Sequence, residues 1–379
     1  MPIPSVPSFH ASGRWWSSDE IIAIATRFLA SIASRLPSED TPCAVALPPT
    51  AEGLALFVAA SARRAPVSVF AVDPLHWPLH STLFDEMPLA LLPEQAALAD
   101  EARRHGFTPM VLAPSNDAGA GAIDPLRTAG FIIQTSGSTG APRSVYRPTS
   151  HIVKGATTRA RALGLRDGDG LLGGVPFSSG QGVVQVVTAM NMGGALGMLG
   201  PVDYREVLSA LARPEFACWR ASAHFADVLS RVPLSRIPDL PRVCMISTPV
   251  SRAVFDAFRL RFGVPLRGAY SSTETGAIAA ETAPADQVVA GTVGHPLPGV
   301  ELAIGETPDA AVPHGTVSRV WVRSAWQMAG YGMPPAVERP GDVAGWWPTR
   351  DLRFDSIAAV GSCSQGAWIP ASARAKGGW

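Results

Sequence analysis

Hydrophobic positions along the chain alternate between two periods, and that alternation sets the expected architecture. Ser17 and Glu20 have the spacing of a capping box, and the IIAIATRFLASIASRL around them places apolar residues at helical intervals, so a helix begins here. The short apolar run CAVAL (43–47) follows. Helical TAEGLALFVAASARR leads to VSVFAV (67–72), and helical LPEQAALADEARRHG leads to PMVLA near Met110. The same alternation continues through FIIQ (131–134), a helical region after Ser150, ALGML (195–199), VCMI (243–246) and helical SRAVFDAFRLRFG. Strands alternating with helices predict an α/β fold of mostly parallel sheets flanked by helices. From about Gly291 the pattern changes to short apolar runs between Gly and Pro, as in VELAI and VSRVWVR, which predicts a smaller β-rich subdomain toward the C-terminus.

Composition narrows the function classes. With 47% hydrophobic and 16% charged residues among 379, the chain can bury a sizeable core. Acidic and basic residues balance at 31 each, so no overall electrostatic footprint for nucleic acid or an anionic membrane is expected. Lys154 and Lys376 are the only lysines, which leaves few candidates for lysine-dependent chemistry. Cys43, Cys218, Cys244 and Cys363 are far apart and show neither a disulfide framework nor zinc-ligand spacing. Pro78 between His76 and His80 argues against a shared helical face for a metal. The N-terminal MPIPSVPSFHASGRWW lacks the features of a signal peptide, and the apolar stretch 21–36 is broken by Arg27 and Arg35 and too short to span a bilayer. The expectation is a cytoplasmic protein without a membrane span.

The most informative segment is FIIQTSGSTGAPRSV. An apolar strand runs into a loop of hydroxyls and glycines at Thr135, Ser136, Gly137, Ser138, Thr139 and Gly140. Glycines permit close backbone approach, while amide N–H groups and hydroxyls donate to phosphate oxygens. It is not a Walker A loop, because Gly137 and Gly140 are too close and no GK[ST] follows. There is likewise no GxGxxG opening a βαβ unit and no GxSxG elbow, which disfavours conventional oxidoreductase and hydrolase readings.

Thr135 to Arg143 resembles the TSG[ST][ST]GxPK phosphate loop of the acyl-adenylate-forming superfamily, which includes acyl-CoA synthetases, aryl-acid ligases and peptide-synthetase adenylation domains. Arg143 stands where the family has lysine, so the charge is kept on a planar fork. Downstream, AYSSTETG resembles the family's YGxTE motif, with Tyr270, Thr273 and Glu274 matching and Ser271 replacing glycine. GTVGHPLPGVELAI (291–304) is similar to its GxxGxPxPG stretch. GWWPTRDLRFD is similar to its TGD motif, with Thr349 and Asp351 matching and Arg350 replacing glycine. The four segments fall in the family's order over 132–355, about three fifths of the chain.

The resemblance implies ATP and Mg²⁺ as cofactors. Thr135, Ser136, Gly137, Ser138 and Gly140 would cradle phosphate, with Thr139 and Arg143 acting on the leaving pyrophosphate. Tyr270 would lie against adenine, Thr273 would contact the α-phosphate, Glu274 would hold the metal, and Asp351 would accept from the ribose hydroxyls. VPFSSGQG (175–182) is similar to the family's PxxHxxG segment near the acyl site, with Ser179 at the histidine position. Phe177, Ser179, Gln181, Ser247 and Ser272 then outline a small, hydroxyl-rich pocket, suited to a compact polar-substituted acid such as a hydroxybenzoate. Phe177 and Gln181 are equally open to a helix-packing role.

The expected organisation is an N-terminal α/β subdomain (1–130), an α/β subdomain with phosphate loop and acid pocket (131–288), a β-rich subdomain (289–355) and an atypical tail (356–379). Family members carry a mobile C-terminal domain with a catalytic lysine after the TGD segment. The 24 residues after Asp355 do not resemble it, and KGGW around Lys376 does not resemble the lysine motif. Two functions follow as expectations. One is ATP-dependent activation of a small carboxylic acid as acyl-AMP, followed by transfer to the thiol of coenzyme A or of carrier-protein phosphopantetheine. The other is a non-catalytic or truncated core that binds nucleotide or acid.

Overall fold

The capping box forms as the spacing predicts. Ser17 N donates to Glu20 Oε2 at 2.7 Å and Glu20 N donates back to Ser17 Oγ at 3.2 Å, opening helix α1 (Ser18–Ala33). The structure is a computed structural model that describes residues 4–77, 82–112, 123–135, 143–199, 204–233, 239–248, 250–310 and 318–352. The chain divides into two compact units: 1–154, 175–198 and 328–339 form the first, and 155–174, 199–327 and 340–379 the second. These units are discontinuous in sequence. Composition changes along the chain do not reveal strands that return to pair far back in sequence.

Unit 1 opens with β1 (Phe9–Ala11) and β2 (Arg14–Trp16) ahead of α1. It continues with β3 (Cys43–Ala46), α2 (Ala51–Ser61), β4 (Val67–Phe70), β5 (Pro88–Leu91), α3 (Ala99–Arg104) and β6 (Thr108–Val111). The strands β7 (Gly130–Gln134) and β8 (Ser144–Pro148) complete this first segment. Helix α4 (Thr149–Ala162) leads on to β9 (Gly170–Gly173) in unit 2, before α5 (Gly180–Met192) and β10 (Leu196–Met198) return to unit 1.

Unit 2 then runs through α6 (Tyr204–Leu211), β11 (Phe216–Ala221), α7 (Ala223–Arg231), β12 (Val243–Ile246) and α8 (Arg252–Phe262). Its later strands are β13 (Leu266–Ser272), β14 (Gly276–Ala280), β15 (His295–Pro296), β16 (Val300–Ile304) and β17 (Arg319–Ser324). After β18 (Gly330–Met333) and β19 (Ala336–Glu338), which belong to unit 1, β20 (Trp347–Leu352) ends the described chain.

In unit 1, β7, β4, β3, β5 and β6 pair in parallel in that order, and β8, β18 and β19 extend the sheet antiparallel beyond β7. Every residue of β3 and β4 is buried, and α2 is buried on almost all sides, as its nearly uniform apolar sequence demands. Phe70 meets Phe84 and Phe107 edge-on at 5.3 Å, and Trp77 joins Phe107 at 5.9 Å, forming the aromatic centre of this core. In unit 2, β9, β11, β12 and β13 pair in parallel, followed by antiparallel β14 and β15. A three-stranded antiparallel sheet, β16-β17-β20, is the small β-rich element expected toward the C-terminus. No described helix is long and apolar enough to cross a membrane.

Trp326 anchors unit 2. It is 2% exposed, lies among Ala277, Ala280 and Leu297, and donates from Nε1 to the Ala277 carbonyl at 2.9 Å. Gly155 of α4 faces its ring so closely that a Cβ there would stand 2.7 Å from Trp326 Cδ1. A glycine-to-alanine change inside a helix ordinarily gains about 1 kcal/mol. Here the hydrogen-bonded indole has no room to retreat, and overpacking costs about 1–3 kcal/mol. Gly155→Ala should therefore destabilise the protein, read as a lower urea midpoint; a raised midpoint would refute this account of the contact.

Candidate functional site

The hydroxyl- and glycine-rich loop leaves the C-terminal end of β7, the edge at which parallel α/β sheets present their ligand-binding loops. Its base is a tight hairpin closure. Thr135 N donates to the Arg143 carbonyl at 2.9 Å, and Arg143 N donates to Thr135 Oγ1 at 3.0 Å. One step below, Gln134 and Ser144 pair through both side-chain amide atoms and Ser144 Oγ. Ser136, Gly137, Ser138, Thr139 and Gly140 lie outside the described residues. The Arg143 guanidinium stands 5.1 Å from the ring centroid of Tyr331 on β18, within cation–π range. The strand that returns to β8 thus supplies an aromatic seat for the residue replacing lysine.

The second segment of unit 1 opens α5. Ser179 is its N-cap: Oγ accepts from Gly182 N at 3.0 Å and donates to the Pro176 carbonyl at 2.8 Å. A Cβ on Gly182 would fall 1.9 Å from that same carbonyl, so glycine is required for the chain to fold back over the helix start. Phe177 is 1% exposed and packs 6.0 Å from Phe9, a core position where the sequence also permitted a substrate-facing one. Gln181 is half-buried on the first turn.

In unit 2 the YSSTE segment forms the end of β13 and its turn into β14. A register shift falls between Tyr270 and Ser271, and Gly276 has φ +74° where the turn ends. Tyr270 is half-buried against the cluster containing Ile278, Ala279 and Val293. Ser272 Oγ accepts from Thr275 N at 3.0 Å and bonds Thr275 Oγ1 at 2.8 Å, so its hydroxyl is committed to the turn. Thr273 and Glu274 are half-buried on the same turn. The GTVGHPLPG segment owes its glycines to backbone conformation, with Gly291, Gly294 and Gly299 at φ +79°, +72° and +84°. Its residues Gly291, Thr292 and Val293 line a cleft with Ser247, Thr248 and Gly268.

Ser247 is exposed directly after β12, and Arg220, the penultimate residue of β11, donates from Nη2 to its Oγ at 3.5 Å. Thr349 lies on β20 with 6% exposure, and its Oγ1 has no hydrogen-bond partner among the described residues. Asp351 is on the same strand two residues later. Among the described residues no group of three or more His, Cys, Asp or Glu gathers as a metal cage. Glu274, half-buried on the β13–β14 turn, is a carboxylate of the kind that Mg²⁺ takes together with substrate phosphates.

A family profile described as AMP-binding enzyme matches residues 8–332. The chain belongs to the AMP-binding enzyme family. It is 26% identical over 233 residues to a 2-succinylbenzoate–CoA ligase of Geobacillus kaustophilus, covering 60% of this chain and 47% of that protein. It is 28% identical over 262 residues to the fatty acid–[acyl-carrier-protein] ligase MmaC of Mycobacterium marinum, covering 63% and 48%. The chain spans about half the length of these curated relatives. Apo MatB from Rhodopseudomonas palustris superposes with a TM-score of 0.76 at 19% identity, over 97% of this chain and 76% of that one, which shows the shared fold.

Within this AMP-binding enzyme, sequence reasoning passed over Tyr331, Arg159 and Arg220. An arginine inside the apolar run FACWRA was the available signal for Arg220. Thr135→Val would remove the acceptor that holds Arg143 N at the loop base, at a cost of about 1 kcal/mol. Hydrogen exchange at the Arg143 amide should accelerate accordingly; unchanged protection would show that the side-chain bond is dispensable.

Proposed function

We propose that the chain is the AMP-forming core of an acid–thiol ligase that activates a small, polar-substituted carboxylic acid. The observation that carries this reading is the TSGSTGAPR loop, closed at its base by the Thr135–Arg143 bonds and followed by the YSSTE turn and TRD strand within a chain of the AMP-binding family. An oxygen of the acid carboxylate attacks the α-phosphorus of ATP in line, the bond to the bridging oxygen breaks, and pyrophosphate leaves with that oxygen. Catalysis comes from positioning and charge neutralisation. Ser138, Thr139 and Arg143 hold the leaving pyrophosphate, with Thr135, Ser136, Gly137 and Gly140 shaping the loop around it. Tyr270 offers an aromatic face to adenine, Thr273 binds at the α-phosphate, and Asp351 accepts from the ribose hydroxyls.

Mg²⁺, held by Glu274 when bound, supplies neutralisation of phosphate charge. Gln181 and Ser247 are the polar side chains proposed to contact the acid. Ser179 holds the helix start that carries Gln181, and Ser272 holds the turn that carries Thr273 and Glu274. In the second half-reaction a thiol attacks the acyl carbon and AMP departs. The family relatives that act with coenzyme A or with an acyl carrier protein support either acceptor for this chain.

The folded protein should catalyse acid-dependent exchange of labelled pyrophosphate into ATP. Glu274→Gln should lower that exchange by roughly a hundredfold while ATP still binds. A broad acid panel that elicits no exchange from protein shown to bind ATP would sink the catalytic reading.

A further inference from the structure

Arg143 closes the hydroxyl- and glycine-rich loop with its main chain fixed and its side chain exposed. Thr135 bonds both its carbonyl and its N–H, while its guanidinium lies over the Tyr331 ring, 5.1 Å from the centroid. The strand register of unit 1 makes that contact. Tyr331 pairs with Val145 across β18 and β8, and Arg143 precedes Val145 by two residues, which puts it on the same face of the sheet. Diagonal neighbours of this kind are within reach of long and aromatic side chains. On its other side Tyr331 pairs with Glu338 of β19. Gly332, next in the chain at φ +110°, permits that tight hairpin, since a Cβ there would stand 2.5 Å from the Ala336 carbonyl oxygen. The ring is thus carried on a strand braced from both sides.

An aromatic partner orients a cation without using it up. A carboxylate would neutralise the arginine charge and occupy its donors. A ring face attracts the guanidinium through its quadrupole, and the five N–H donors lie in the plane of the guanidinium, where an anion can still meet them. Phosphate oxygens suit that planar fork, which binds them in two-point contact. A lysine ammonium is a mobile point charge on a flexible stem, so the two residues are not interchangeable at a stacked site. The position where the resemblance expects lysine therefore holds a cation whose direction a neighbouring ring sets.

We infer that Tyr331 is a positioning residue for ATP and pyrophosphate: its ring holds the Arg143 guanidinium at the base of the loop with the N–H fork open to the two terminal phosphates. This rests on the adenylate-forming reading above, in which Arg143 holds the leaving pyrophosphate. Fixing the cation before the ligand arrives reduces the side-chain entropy lost on binding. A tyrosine that only packs β18 against β8 would act on stability and would not distinguish pyrophosphate from AMP.

Calorimetric titration of the full chain with inorganic pyrophosphate, ATP and AMP, in buffer containing Mg²⁺, separates the two. Tyr331→Leu should weaken pyrophosphate and ATP about tenfold and leave AMP, which lacks the terminal phosphates, unchanged. Tyr331→Phe keeps the ring and should keep the affinity. In an Arg143→Gln background, Tyr331→Leu should cost nothing further. A folded Tyr331→Leu protein with unchanged pyrophosphate affinity overturns the inference, as does equal weakening of pyrophosphate and AMP. Where Tyr331→Leu fails to fold, fluorine NMR of the wild-type chain labelled with fluorotyrosine decides. The chain has four tyrosines, and the line missing from Tyr331→Phe belongs to Tyr331. That line should shift on saturation with pyrophosphate and stay in place with AMP; a line that pyrophosphate leaves unmoved overturns the inference. Insensitivity to Tyr331 in a chain that binds ATP removes this inference alone, whereas a wild-type chain that binds neither ATP nor AMP removes the underlying reading with it.

Discussion

Parallel strand pairing is the constraint on which the rest of the structure depends. A parallel ladder cannot be closed by a tight turn, so each strand is followed by a crossover, and every loop after a strand emerges at the same edge. In unit 1 this brings the polar loop out of β7. In unit 2 it lines up the segments that follow β11, β12 and β13. Strand interiors are then free to be wholly apolar, as in β3, β4 and β12, because chemistry is confined to their ends.

The antiparallel additions serve a different purpose. β8 turns the chain back after the loop, so Thr135 and Arg143 face each other and fasten its base, and β18 comes from far along the chain to place Tyr331 beside Arg143. In the same way β14 folds back on β13, with the Ser272–Thr275 bonds fixing the turn that carries Thr273 and Glu274. Both devices fix the base of a polar segment by hydrogen bonds, which reduces the entropy lost when a ligand binds.

Much of this was legible in the sequence because it is local. The Ser17–Glu20 capping box, the alternation of helix and strand, and the loop after FIIQ each depend on residues within one or two turns of one another. What was hidden depends on distant pairing or on competition for a hydrogen bond. PLAL and FACWRA are too short or too irregular to announce β5 and β11, and nothing near Gly330 states that it will pair with Tyr146. By resemblance Ser179 and Ser272 belong to the acid pocket. The structure assigns their hydroxyls to Gly182, Pro176 and Thr275, since unsatisfied backbone groups at a helix start or turn claim the nearest acceptor.

Phe177 packs on Phe9, and the Ser179 and Ser272 hydroxyls bond backbone groups at a helix start and a turn, so residues of the pocket outlined by resemblance also hold the fold together. In unit 2 the buried Arg220, near the end of β11, reaches the Ser247 hydroxyl that follows β12, so two neighbouring strand ends are tied by a side chain.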